Sequence, residues 1–388
     1  MMIKVLKNAQ VYAPECLGQK DVLVIGNKIA RIADHIDEYD GLKEVEVFDF
    51  AGKKLLPGYI DMHVHITGGG GEDGPASRCP ESQLSTFLKS GITTVLGLLG
   101  TDGITRSIEN LVAKARALND EGITAYCLTG SYGYPTSTMT GSVEKDIYMI
   151  TPMVGAKIAV SDHRGSNPQA KELIDVGTAA RRGGMISGNP GIVVMHIGPG
   201  PAMLKPIKEA IAQSDIPFKN FLPTHMLRNE ALMNDGIDYV RSGGFIDCTA
   251  GADPETLAKR IDMLYRLLHT EGVPLNHVSL SSDSYGSMPR FDEAGNCIGL
   301  TYAVPSSLHK TIKGLVKEKG MPLEEAIQLL TSTPAMLLGK TGVKGCIKAG
   351  ADADILILDD ELEISSLFAK GQTAILNGDL KMRGRFEL

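Results

Sequence analysis

Apolar and polar positions divide the chain into three stretches. At the start, MIKVLKNAQVYA, DVLVIGNKIARIA and VEVFDFAGKKLLPG carry short alternating runs, with a turn at Gly26-Asn27. Alternation punctuated by Gly and Asn predicts a meander of antiparallel strands. The same texture returns near the end, in GCIKAGADADILILDDELEISSLFAKGQTAIL. Neither end holds enough strands to stand alone. The two are therefore expected to pair into one small β-sandwich domain of residues 1–57 and 342–388, with Pro57-Gly58 at the boundary.

The middle, residues 58–341, follows a different rhythm. Eight apolar runs can be read in order: 59–66, 93–100, 124–131, 156–162, 191–198, 220–227, 244–250 and 278–284. Most are apolar throughout until a polar end, as parallel strands buried on both faces require. Helix-like segments such as SIENLVAKARALND and AMLKPIKEAIAQ lie between them, and SSLHKTIKGLVKEKG and PLEEAIQLLTSTPAMLLG supply the last helices. Eight such units predict an α/β fold, a (β/α)8 TIM-like barrel, rather than an open doubly wound sheet.

Composition narrows the function classes. The 388 residues exceed what a barrel alone needs, roughly 250, and leave room for the second domain. A net charge of −7 argues against nucleic acid or an anionic membrane as a partner. No apolar run approaches the ~18 residues of a spanning helix, and the N-terminus does not read as a signal peptide. The six cysteines (Cys16, Cys79, Cys127, Cys248, Cys297, Cys346) show no C-x-x-C spacing. Reduced thiols in a cytoplasmic protein are expected. Neither G-x-G-x-x-G after the first strand nor G-x-x-x-x-G-K-[ST] is present, so a nucleotide site lacks its phosphate cradle.

Ligand-type residues collect at the strand ends: His63 and His65 on the first, Lys157 in the fourth, His196 in the fifth, His225 in the sixth and Asp283 in the eighth. The C-terminal strand ends of a barrel converge on one mouth, where active sites of this fold lie. Residues i and i+2 of a strand face one side roughly 6–7 Å apart, so His63 and His65 can grip one cation. Taken singly, each residue also has a structural explanation: a satisfied polar group, or a lysine on the barrel wall. The remaining histidines, His35, His163, His269, His277 and His309, show no such placement.

With PGYIDMHVHI carrying an H-x-H motif on its first strand, the chain resembles the amidohydrolase superfamily, over the barrel and the flanking β domain alike. The resemblance implies two divalent metal ions, with Zn2+ suited to an imidazole-rich site and manganese or cobalt as substitutes. It assigns His63, His65 and Asp283 to one ion and His196 and His225 to the other. Lys157 would bridge both as a CO2-derived carbamate, since a free ammonium cannot ligate a cation. The implied chemistry is hydrolysis by a metal-bridging hydroxide, with Asp283 moving the proton.

Within that superfamily the loops GGGGEDG, LLGTDG, SYGYP, SDHRGS, THMLRN and SSDSYGS resemble those of isoaspartyl dipeptidases, enzymes of β-linked aspartyl dipeptides. Such a substrate carries an ammonium and two carboxylates. Glu72 suits the former, and Arg164 and Arg228 can fork onto the latter. Gly70, Thr101 and Ser287 contact substrate by the same resemblance, and Tyr132 would donate to the scissile carbonyl. A homo-oligomer, as large as an octamer, is also implied. Two other readings stand beside this one. An amidohydrolase of the same fold could act on an N-acyl-D-amino acid or a cyclic imide. A non-catalytic scaffold would be free to lose ligands, yet all six ligand positions are filled.

Overall fold

A computed structural model describes residues 2–387 apart from 293 and 295, with the side chains of 289–291 and 297 also outside the description. Its central part contains the eight expected strands, here numbered β1 to β8: Tyr59–Val64, Ile92–Gly97, Thr124–Gly130, Met153–Val160, Ile192–Ile197, Phe221–Thr224, Ile246–Thr249 and Val278–Ser281. Every residue of β1, β2, β4 and β5 is buried, which is why these runs lack a polar alternation. Strands β1 to β6 pair in parallel in chain order, and β7 pairs in parallel with β8. The seam from β6 to β7 is crossed by Met226 N–H to Asp247 O at 3.3 Å, and that from β8 to β1 by His65 N–H to Ser284 O at 3.0 Å.

Helices return the chain between strands, and their sequences explain where they begin and stop. In Ile108–Glu121 the buried positions Ile108, Leu111, Val112, Ala115 and Leu118 make one apolar stripe facing the sheet. The Ser107 side chain caps its start by accepting from Asn110 N–H, and Gly122, at φ 118°, ends it in a conformation that costs glycine little. Helix Glu230–Arg241 starts likewise on Asn229, which accepts from Leu232 N–H.

The two chain ends meet in a nine-stranded sheet. Strand Lys54–Pro57 lies antiparallel to Ile355–Leu358, so residues some 300 positions apart share one ladder. The simple antiparallel meander expected for the start is not what forms. Ile3–Tyr12 runs antiparallel to Cys16–Ile25 but parallel to both Val45–Asp49 and Lys54–Pro57. The chain leaves Lys28–Ala33 on one edge and crosses to the far side of the first strand, which pairs along both edges. Phe48, Phe50 and Phe368 pack ring to ring at 5.5–6.2 Å and join the two ends through apolar contact.

Past β8 a hairpin of Ser287–Phe291 and Cys297–Tyr302 appears that the apolar pattern did not announce. The five described cysteines are free thiols, while the side chain of Cys297 lies outside the described ones. Among the described residues no helix is long and apolar enough to cross a membrane.

Candidate active site

The C-terminal ends of the strands surround a cavity of about 310 Å³, whose lining includes His65, Gly70, Glu72, Thr101, Tyr132, Arg164, His196, His225, Arg228, Asp283 and Ser287. Eleven sequence-predicted residues thus share one space. His63 and Lys157 lie beside it, both buried in their strands.

The polar centre is tight. Asp283 Oδ1 stands 3.1 Å from His65 Nε2 and 3.5 Å from His63 Nε2, and Asp283 Oδ2 stands 4.0 Å from His225 Nδ1. Lys157 Nζ is 3.1 Å from His63 Nε2. Donor atoms of His63, His225 and Asp283 all fall within 4.8 Å of one another. Three buried imidazole nitrogens, His63 Nδ1, His65 Nδ1 and His225 Nε2, find no hydrogen-bond partner among the described residues. Buried polar atoms are normally satisfied. A pocket of imidazoles and a carboxylate with unused lone pairs is the donor set that fits a divalent cation. His225 and Asp283 also hold positive φ angles of 68° and 54°, which non-glycine residues adopt rarely and at a cost of order 1–3 kcal/mol.

His196 is placed differently. Its ring lies 4.5 Å from that of His225, but Nδ1 meets Tyr132 OH at 2.7 Å and Nε2 meets Asp162 Oδ2 at 2.8 Å. Both nitrogens are engaged by protein, and a cation here would displace one of those contacts.

Burial sets the protonation states. It drives His63 and His225 well below the ordinary imidazole range, helped by the nearby Lys157 charge, and takes His196 down to about 3. All three are therefore neutral and able to ligate near pH 7. Burial likewise draws Lys157 down to about 7, because among the described residues no carboxylate stands within ion-pair distance.

On the substrate side residues of three other segments converge on Glu72. It accepts from Thr101 Oγ1 at 3.1 Å and Ser287 Oγ at 2.7 Å, and Arg164 Nη1 lies 3.4 Å away. The loop bearing it needs glycine at position 70. There φ is 90°, and a Cβ would come within 2.4 Å of Ser77 O. Arg164 directs Nε and Nη2 to Asp162 at 3.0 and 2.8 Å and lies over the Tyr132 ring. Burial opposes ionisation of Asp162, yet hydrogen bonds from His196 and Arg164 hold its carboxyl well below the usual range. Arg228 gives Nε to Ile197 O at 3.2 Å.

Sequence reasoning missed several residues here. Asp162 is one, though its place in SDHRGS at a strand end was a usable signal. Thr249, 2.7 Å from His225 Nδ1, and Arg260, on the cavity wall, are others. Asp61 and Asp247 lie deeper. Asp247 accepts from Thr224 on β6 and from Ser279 and Ser281 on β8, and Asp61 accepts from the backbone and hydroxyl of Ser282. These two carboxylates span the seams where the strand ladder is thinnest. Burial raises them to about 7 for Asp61 and about 6 for Asp247.

The family model of the amidohydrolase family matches residues 55–381, and the chain belongs to that family. Among solved structures it resembles the beta-aspartyl dipeptidase of the thermophilic keratin-degrading Fervidobacterium islandicum AW-1 in complex with beta-Asp-Leu dipeptide. Identity is 41%, TM-score 0.93, with 100% of this chain and 99% of that one covered. A second structure of the beta-aspartyl dipeptidase from that organism gives 39% identity and a TM-score of 0.89, covering 100% of both chains. A dihydroorotase of Staphylococcus aureus strain Mu50 is 30% identical over 118 residues, 30% of this chain. The chain spans only 26% of that relative's length.

Proposed function

We propose that the protein is a binuclear metal-dependent dipeptidase that cleaves the β-aspartyl (isoaspartyl) peptide bond, with its eight parallel strands closed into a (β/α)8 barrel. The observation carrying this reading is the junction, in one cavity, of the Asp283–imidazole cluster with Glu72 and its Thr101, Ser287 and Arg164 partners. Similarity to a dipeptidase solved with beta-Asp-Leu supports the substrate class.

In this reading His63, His65, His196, His225, Asp283 and a carbamylated Lys157 hold two divalent cations. Such cations polarise a carbonyl oxygen and bring the pKa of water from 15.7 towards ~7. Lys157 suits carbamylation because burial keeps much of its amine neutral, and the neutral amine is the form that attacks CO2. Glu72 takes the substrate ammonium. Tyr132 turns its hydroxyl from His196 to the scissile carbonyl as negative charge develops there. Asp283 accepts the proton of the attacking water and delivers it to the leaving amine.

The test compares β-Asp-Leu, α-Asp-Leu and an N-acetyl-D-amino acid on protein of measured metal content. Hydrolysis of β-Asp-Leu at least about 100-fold faster than the others is expected, since misplaced carboxylates leave buried charges unpaired. Equal rates on the α and β isomers, or preference for the N-acyl compound, would refute the assignment.

A further inference from the structure

A β-aspartyl dipeptide brings one ammonium and two carboxylates into the cavity, and its charges can be matched against those the protein leaves unpaired. Glu72 answers the ammonium. Arg164 is already neutralised, with two of its nitrogens on Asp162 and the third directed at Glu72. Arg228 has no carboxylate within ion-pair distance among the described residues, and its Nε is taken by the Ile197 carbonyl. That leaves one uncommitted guanidinium for two carboxylates.

Arg260 supplies another. It projects from helix Pro254–Tyr265, which follows β7, and lines the same cavity as Arg228 and Thr249. Its Nη1 is buried without a hydrogen-bond partner, and no carboxylate lies within ion-pair distance among the described residues. Burial, and then the charge of Arg228, draw its guanidinium down to about 10, so it remains a cation at neutral pH. Two cations lining one cavity, neither with a carboxylate within ion-pair distance among the described residues, form a site for a carboxylate.

The substrate's own geometry says which one. Its α-ammonium and α-carboxylate share a carbon, so pairing of the ammonium with Glu72 keeps the α-carboxylate on the Glu72 side of the cavity. The remaining carboxylate, at the C-terminus of the leaving residue, lies beyond the scissile amide. We infer that Arg260 acts with Arg228 to bind the C-terminal carboxylate of the leaving residue, and that this pair restricts the enzyme to dipeptides. The inference rests on the β-aspartyl reading above.

Its test uses the metal-loaded enzyme with β-Asp-Leu and β-Asp-leucinamide, which differ only in that carboxylate. Wild-type protein should favour the acid, and Arg260→Gln should lower kcat/KM for it by about 10- to 100-fold, mostly through KM, while leaving the amide within about 3-fold. Arg260→Lys should retain part of the preference, because charge survives and the fork does not. Equal losses on both substrates in a folded variant would assign Arg260 to structure and overturn the inference. So would a wild-type enzyme indifferent to the carboxylate, a result that needs no variant to fold. No hydrolysis of β-Asp-Leu by wild type would instead bring down the substrate assignment, and this inference with it.

Discussion

Of the three lysines buried among the described residues, Lys344 and Lys157 have surroundings that differ in kind. Lys344 reaches Asp354 at 2.5 Å, Asp352 at 2.9 Å and Thr124, the first residue of β3, at 2.7 Å. Burial works against its charge, but the two carboxylates more than offset this and raise its pKa. Lys157, midway along β4 beneath the cavity, has a histidine nitrogen at 3.1 Å and no carboxylate within ion-pair distance among the described residues. Burial brings it down to about 7. Depth is the same, and partnership decides the role. A buried charge that the protein neutralises is structural, whereas one left bare awaits chemistry or a ligand. Of the five buried side-chain nitrogens without a partner among the described residues, His63 Nδ1, His65 Nδ1, His225 Nε2 and Arg260 Nη1 belong to residues lining or beside the cavity, and only Arg106 Nε does not.

The largest effect should come from Lys157→Ala, which is expected to abolish hydrolysis and reduce bound metal while changing stability little. Added short-chain carboxylic acids should restore part of the activity. Turnover like that of the wild type, without any added acid, would remove the carbamate from the account. Lys344→Ala leaves the buried carboxylate of Asp354 without its cation, while Asp352 keeps Lys28 at 2.6 Å, and should cost about 3–5 kcal/mol. Denaturant unfolding measures this, and kcat of the folded fraction should stay within a few-fold. A Lys344 variant that lost kcat without losing stability would break the comparison.

Tyr132→Phe sharpens it on the cavity side. If its hydroxyl turns to the developing charge as proposed, removing it should lower kcat by about 10²–10³-fold with little change in KM. A drop confined to KM would reassign Tyr132 to binding. The smallest effect tests a buried carboxylate that, like Lys344, has its partners. Asp247→Asn disturbs the bonds from Thr224, Ser279 and Ser281 and should destabilise by about 1–3 kcal/mol. Calorimetry reads the shift, and a loss of activity without one would mean that Asp247 takes part in the reaction.

The amino-acid order alone determined the strands of the core and the residues at their ends. Each of the eight apolar runs became a strand, because a parallel strand covered on both faces needs an unbroken run of apolar side chains. The H-x-H pair and the polar terminators of the runs marked the cavity, since strand ends converge. Tertiary structure alone decided what was paired with what. The parallel crossing of Val45–Asp49 beside Ile3–Tyr12 depends on contacts between distant segments, and local alternation carries no direction. Arg164 and Arg260 look alike in sequence, each a surface-type cation. Only the fold sets Asp162 against one and leaves the other with no carboxylate in ion-pair distance among the described residues, because electrostatic partnership depends on distances through space rather than along the chain.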